Sequence, residues 1–288
     1  MSTATQSVNY VDVIKDIEDF YSENAVNAFC PVAGTNVKFT PITVQQFRKF
    51  IELQVATEKD EFGVVPGLQV VREINDVLIS NCPEYGDKLL DSLTVLDRDA
   101  IIVQLRAYTK GEAEVVTTEE ETQTVDLLEI VKKLKSTKFS AKLKTRTKQF
   151  KYASGSVNVK MQLPTLRTDQ DVNDRFRERV LPKIKKGRKH VEKEAEKILS
   201  QVYFLEICKY IDTVTVTKKD SNTVLNFRDV ESFDNNFALL ERLPTTVISE
   251  VSSYMNDIRK YRDSVFSYVN VDDKDVPLDV DIALFAGI

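Results

Sequence analysis

The sequence predicts an α+β fold, with helical N- and C-terminal parts around a central β-rich, hairpin-containing insertion. Three observations carry this expectation. Apolar residues recur at steps of three and four through residues 1–110 and again after residue 166, which is helical spacing. Between Phe139 and Leu163 they alternate at a step of two, the spacing of strands. Around that alternation the charge pattern changes sign, from an acidic stretch at Glu112–Glu121 to a span without a carboxylate between Glu129 and Asp169. The expected parts are residues 1–110, mainly helical with a small hairpin; 111–165, the β-rich insertion with a basic face; and 166–288, helical with a short hairpin and an acidic terminal strand.

Taken in order, Tyr10, Ile14, Ile17 and Tyr21 mark an amphipathic helix able to dock on the body or on a partner. Phe29, Val32, Val37 and Phe39 flank an Ala33-Gly34-Thr35-Asn36 turn and read as a small hairpin. Thr43 and Gln46 form a capping box ahead of Phe47, Phe50 and Ile51, so a helix starts there. Leu68 to Leu78 mark a third helix. Leu96 to Tyr108 mark a fourth, with Asp97 as its candidate cap and Gly111 just past its end.

In the insertion, Phe139, Ala141, Leu143, Thr145 and Thr147 alternate with Lys138, Lys142, Lys144, Arg146 and Lys148, which places those cations on one face of a strand. Val157, Val159, Met161 and Leu163 alternate likewise after Tyr152–Ser156, giving a long β-hairpin that projects from or caps the body. Thr168 with Asp171 opens a helix that Pro182 ends or kinks. A longer helix carries Val191 to Tyr210, and Thr213–Thr217 with Val224–Phe227 form a second hairpin. Val247, Val251, Tyr254, Ile258, Tyr261, Val265 and Tyr268 then form a regular helical stripe, which either packs in the core or forms a self-association seam. Past Lys274, Leu278, Val280, Ile282 and Leu284 alternate with Asp279 and Asp281 as an edge strand, paired within the chain or able to augment another sheet.

Composition narrows the function. A chain of 288 residues with 42% hydrophobic residues can bury a core without staples, and a net charge of −5 argues against general attraction to nucleic acid or membrane. Three scattered cysteines, Cys30, Cys82 and Cys208, fit small buried hydrophobes in a reducing compartment. The polar N-terminus shows no targeting signal, and no stretch is apolar enough to span a membrane. With eight glycines the chain lacks a Gly-rich phosphate loop, and it carries none of the common metal, nucleotide or acyl-transfer motifs. The single histidine, His190, sits among cations without an acid, serine or cysteine at a recognised spacing. No catalytic, cofactor-binding or metal-binding residue is expected, and the chain reads as a binding or assembly protein.

The row Lys142, Lys144, Arg146 and Lys148 fits an acidic protein partner, a solvated face or, with few stacking aromatics nearby, nucleic-acid phosphates. The other candidate contact residues are Tyr254, Tyr261 and Tyr268 on the stripe, and Val280 and Ile282 on the terminal strand.

Three segments carry a resemblance. They are Phe29-Cys30-Pro31-Val32 through Val37–Val44; Leu96-Asp97-Arg98-Asp99 through Leu105-Arg106-Ala107-Tyr108; and most of residues 202–250, including Phe204-Leu205-Glu206-Ile207 and Leu239–Pro244. Together they resemble the baseplate hub proteins of T-even-type contractile-tailed bacteriophages. Some members carry paired cysteines after the segment matching Leu105–Gly111, suggesting a metal knuckle; this sequence has none there. The resemblance implies a structural, non-enzymatic component of the tail baseplate, hub or hub-proximal. It would be assembled in the host cytoplasm, reside in the virion in several copies and bind other baseplate and tail proteins. Two rival roles are a transient assembly chaperone absent from the finished particle and a nucleic-acid-binding protein using the basic hairpin.

Overall fold

The computed structural model describes residues 14–15, 17, 19–20, 23–59, 64–109, 111–116, 122–180, 182, 191–271 and 274–278. It is an α+β fold in which antiparallel hairpins and a four-stranded sheet pack against helices.

The first hairpin pairs β1 (Val26–Cys30) with β2 (Thr35–Phe39). Its turn is Pro31–Gly34, two residues before the expected position, because Thr35 and Asn36 are paired in the ladder with Cys30 and Phe29. Gly34 closes the turn in the left-handed region, φ 68°, and donates its N–H to the Cys30 carbonyl at 2.8 Å. Alternation turns Ala28, Cys30, Val37 and Phe39 inward, where all are buried.

Helix α1 (Val44–Lys59) begins at the expected capping box: Gln46 N–H donates to Thr43 Oγ1 at 3.3 Å and Thr43 N–H to Gln46 Oε1 at 2.8 Å. It packs against α2 (Val64–Ser80), and the buried Asn81 after α2 donates to the Thr40 and Pro41 carbonyls, closing this corner. A short helix, α3 (Lys88–Ser92), leads into α4 (Val95–Thr109). The cap of α4 is Thr94, and Asp97 is the reciprocal member of its capping box: Oδ2 accepts from Thr94 N–H at 3.0 Å and from Thr94 Oγ1 at 2.8 Å.

Gly111, at φ 78°, carries the chain out of α4 as expected. Strands β3 (Glu112–Val116) and β4 (Thr122–Asp126) form a further hairpin, and α5 (Leu127–Ser136) follows, capped by Asp126 accepting from Leu128 N–H at 2.8 Å. Glu112 and Glu114 of the acidic stretch thus lie in a ladder, Glu119–Glu121 fall outside the described residues, and a helix occupies part of the insertion expected to be β-rich.

The expected strand from Phe139 starts only at Thr145, since Ala141–Lys144 is a helical turn. Strands β5 (Thr145–Tyr152) and β6 (Gly155–Gln162) form the long hairpin, joined by Ala153-Ser154. They do not stand alone. After α6 (Leu166–Arg175), its π-helical continuation Phe176–Val180, and α7 (Val191–Tyr210), the hairpin β7 (Ile211–Lys218) and β8 (Ser221–Asn226) adds to β6, giving one sheet in the order β5-β6-β7-β8. Gly155 makes this junction feasible, because a Cβ there would lie 2.0 Å from the Thr217 carbonyl oxygen. The cap of α6 is Thr165, three residues before the expected Thr168, whose N–H it accepts at 3.2 Å.

Helices α8 (Phe233–Leu240) and α9 (Thr245–Arg262) complete the body. The buried face of the sheet, Val159, Met161, Ile211 and Val214, together with Val251, Tyr254 and Ile258 of α9, belongs to one continuous hydrophobic core. The stripe expected to stay helical to Tyr268 ends earlier. After Arg262 the helix widens into a π turn, Asp263–Ser267, and Tyr268 opens β9 (Tyr268–Val271), paired with β10 (Lys274–Pro277).

Candidate docking surfaces and the buried groups that frame them

The cations expected on one strand face are divided by the fold. Arg146 and Lys148 share the side of β5 that carries Phe150, continuous across the ladder with Val157, Val159 and Met161, so they face α9. Arg146 meets Asp257 at 2.7 Å and Glu250 at 3.8 Å, and its guanidinium lies 5.1 Å from the Tyr254 ring centre. Lys148 reaches Glu250 at 3.9 Å. Lys142 and Lys144 stand on the helical turn before the strand, both exposed, with no carboxylate in ion-pair range among the described residues. The acids that receive Arg146 could have been suspected from sequence: Glu250 and Asp257 are seven residues apart and flank Tyr254 on one helix face.

The tyrosines are divided too. Tyr254 is fully buried and donates its hydroxyl to the Leu143 carbonyl at 2.7 Å, with the Lys144 carbonyl at 3.1 Å. Tyr261 is buried with its ring edge-on to Phe139, 5.1 Å between centres. Both tie α9 to the segment entering β5, so their contacts are those of core packing. Tyr268, in β9, is 42% exposed. Val280 and Ile282 lie outside the described residues, as do His190 and the basic run before it.

Two buried polar clusters, invisible in the sequence, hold the framework. In the first, Asp97 Oδ1 accepts from Val32 N–H at 2.9 Å and Ala33 N–H at 3.4 Å, while Gln104 Oε1 accepts from Phe29 N–H and its amide donates to the Phe29 carbonyl, both at 2.8 Å. One carboxylate and one amide on α4 thus complete the backbone bonding of the hairpin. Burial raises the Asp97 carboxyl against these donors.

The second cluster centres on Asp169 of α6, 3% exposed. Its oxygens lie 2.8 Å from Arg98 on α4 and 2.8 Å from Lys209 on α7, and Lys209 also meets Glu206 at 2.6 Å. Burial alone would raise the Asp169 carboxyl, but Lys209 and Arg98 overcome it and hold the group down at about 2. For Lys209, the carboxylates of Asp169 and Glu206 likewise overcome burial and raise the ammonium above its usual value.

Little chemistry is offered elsewhere. All three cysteines are buried and unpaired, and burial pushes their thiols up, Cys82 to about 11 and Cys208 to about 12, so thiolate is scarce. Among the described residues no three metal-ligating side chains cluster, and no helix is long and apolar enough to cross a membrane. A cavity of about 260 Å³ between α6 and the segment that follows β8, Phe227 to Phe233, is lined by arginines with internal partners: Arg167 meets Asp91 at 3.1 Å, Arg228 meets Asp212 at 3.6 Å, and Arg175 meets Glu231 at 3.5 Å. Its cationic side is therefore already matched by carboxylates.

What remains open is surface. The outer side of the four-stranded sheet carries Thr145, Thr147, Gln149 and Lys151 on β5 and Asn222, Val224 and Asn226 on β8, all exposed. On α7, Leu199 and Tyr203 are also exposed, one turn apart.

A family model described as T4 bacteriophage base plate protein matches residues 24–265, from just before β1 through most of the π turn after α9. The chain belongs to this family. It is accordingly a structural component of a phage tail baseplate, and the resemblance carried by the three sequence segments holds at the level of the base plate family. Those segments form one framework: the first two are joined through Asp97 and Gln104, and Glu206 joins the second to the third through Lys209, Asp169 and Arg98. No curated protein and no solved structure matches the chain.

Proposed function

We infer that this base plate protein occupies the hub or a hub-proximal position and acts by docking to neighbouring baseplate and tail proteins, without catalysis. The observation that supports this most directly is the distribution of polar groups. Buried charges and amides are spent on internal partners at Asp169, Asp97 and Gln104, whereas the outer sheet face displays threonine, asparagine, glutamine and lysine to solvent. A surface of that kind suits a polar interface between subunits. Tyr268 and the segment carrying Val280 and Ile282 extend the set of docking residues.

Nucleic-acid binding through Lys142, Lys144, Arg146 and Lys148 is disfavoured by the same geometry, because Arg146 and Lys148 are engaged by Glu250 and Asp257 and a phosphate would have to displace those acids.

Localisation in purified particles tests the proposal. Cryo-electron microscopy of intact tails, with immunodetection of the chain, is expected to place it at or beside the baseplate centre in several copies. Its presence in assembly intermediates but not in finished tails would instead establish a transient chaperone, and a peripheral location would overturn the hub assignment.

A further inference from the structure

We propose that the free edge of β5 is a β-augmentation site that accepts an extended acidic segment from a neighbouring baseplate protein as a fifth strand of the sheet. This rests on the docking role above and names the chemistry of the partner.

The edge is defined by the ladder. Leu163 N–H donates to the Lys144 carbonyl, and β5 pairs with β6 on one side only, in the register Arg146 to Met161 and Lys148 to Val159. In an antiparallel ladder the bonded residues alternate, so the backbone groups of Thr147, Gln149 and Lys151 point away from β6. Among the described residues nothing pairs with that side, and all three are exposed. Eight residues is long for an uncovered edge, and this one has neither a proline nor a bulge against β6 to interrupt it.

Charge selects the occupant. Lys138, Lys142, Lys144 and Lys151 lie on or just before β5 with no carboxylate in ion-pair range among the described residues. No aspartate or glutamate occurs between Glu129 and Asp169, so a second β5 laid against this one would oppose cations with cations. An acidic strand would instead bring its carboxylates beside Lys151 on the outer face, with Lys142 and Lys144 at the entry to the strand, while its backbone completes the open ladder. Nucleic acid offers no alternating backbone donors and acceptors for this edge, and its bases would find Tyr152 as the exposed aromatic on the strand.

The test uses the full chain, a synthetic peptide of four Asp-Val repeats, and residue-resolved amide hydrogen exchange. The peptide is expected to slow exchange at Thr147, Gln149 and Lys151 by about tenfold or more, while four Lys-Val repeats have no effect. Thr147→Pro, which removes an outward N–H, is expected to abolish the protection. The double charge reversal Lys144→Glu with Lys151→Glu should transfer the preference to the lysine peptide, and its melting curve verifies that the sheet is intact.

Four results would overturn the proposal. These are no binding to the parent chain; binding without protection of those amides; amides already protected in the free chain, which would mean that its own terminal segment or a second copy fills the edge; or protection by single-stranded DNA in place of the acidic peptide. Failure here leaves the tail-localisation result untouched, so the two proposals fail separately.

Discussion

Asp169→Asn removes the carboxylate that faces both Arg98 and Lys209 inside the protein. Breaking a buried ion pair from one side leaves an uncompensated charge and costs roughly 3–5 kcal/mol. The lower end applies here, about 3 kcal/mol, because Lys209 keeps Glu206 at 2.6 Å and Arg98 keeps the Asn75 amide oxygen at 3.4 Å. The assay is thermal denaturation of parent and variant, with an expected fall in melting temperature of roughly 6–12 °C.

The same site has an acid signature. Its folded pKa is depressed from 3.8 to about 2, so its contribution is fully present above pH 4 and lost as pH falls toward 2. The lost amount is about 2 kcal/mol, smaller than the cost of the substitution because a protonated carboxyl still donates and accepts hydrogen bonds. Asp97 and Asp99, whose carboxyls burial raises, titrate in both proteins; Asp99 is also raised by the Asp169 charge, so the difference between the two stability curves reads Asp169 together with its coupling to Asp99. A variant within about 0.5 kcal/mol of the parent, or one with the parent's slope between pH 4 and pH 2, would refute the reasoning.

Gly155→Ala should cost about 1–3 kcal/mol by driving a methyl group against the Thr217 carbonyl and prying β6 from β7, read as a lower denaturation midpoint and faster amide exchange in β7. Gln104→Leu strands the N–H and the carbonyl of Phe29 in the interior and should cost about 2–4 kcal/mol by denaturation midpoint; a loss below about 0.5 kcal/mol would contradict the paired geometry. Arg146→Gln should cost about 1–2 kcal/mol at low salt, with part of the difference screened as salt rises because Arg146, Glu250 and Asp257 are each partly exposed; a salt-independent loss would assign the effect to packing on Tyr254.

Much of the fold is legible along the chain because its signals are local. The Thr43–Gln46 capping box, the α2 and α4 periodicities, Gly111 beyond α4 and both hairpins flanking α6 and α7 each depend on residues a few positions apart. The misplacements are local as well. An alternating pattern reads as strand from Phe139, yet Ala141–Lys144 closes a helical turn, and threonine alone does not reveal that Thr165, not Thr168, caps α6. Tyr268 continues the stripe on paper although the helix has already widened and ended before it.

The sequence by itself determined the fold class, the absence of recognised catalytic motifs and, through three short segments, the baseplate family, since periodicity, residue inventory and motif order need no third dimension. Tertiary structure decided what each charge and tyrosine faces. Arg146 turns inward to Glu250 and Asp257, more than a hundred residues away, and Lys142 and Lys144 remain in solvent. Asp169 meets Arg98 and Lys209, and two hairpins separated by more than forty residues become one sheet with a long open edge. Pairings of that kind depend on which surfaces the whole core brings together, and no local spacing encodes them.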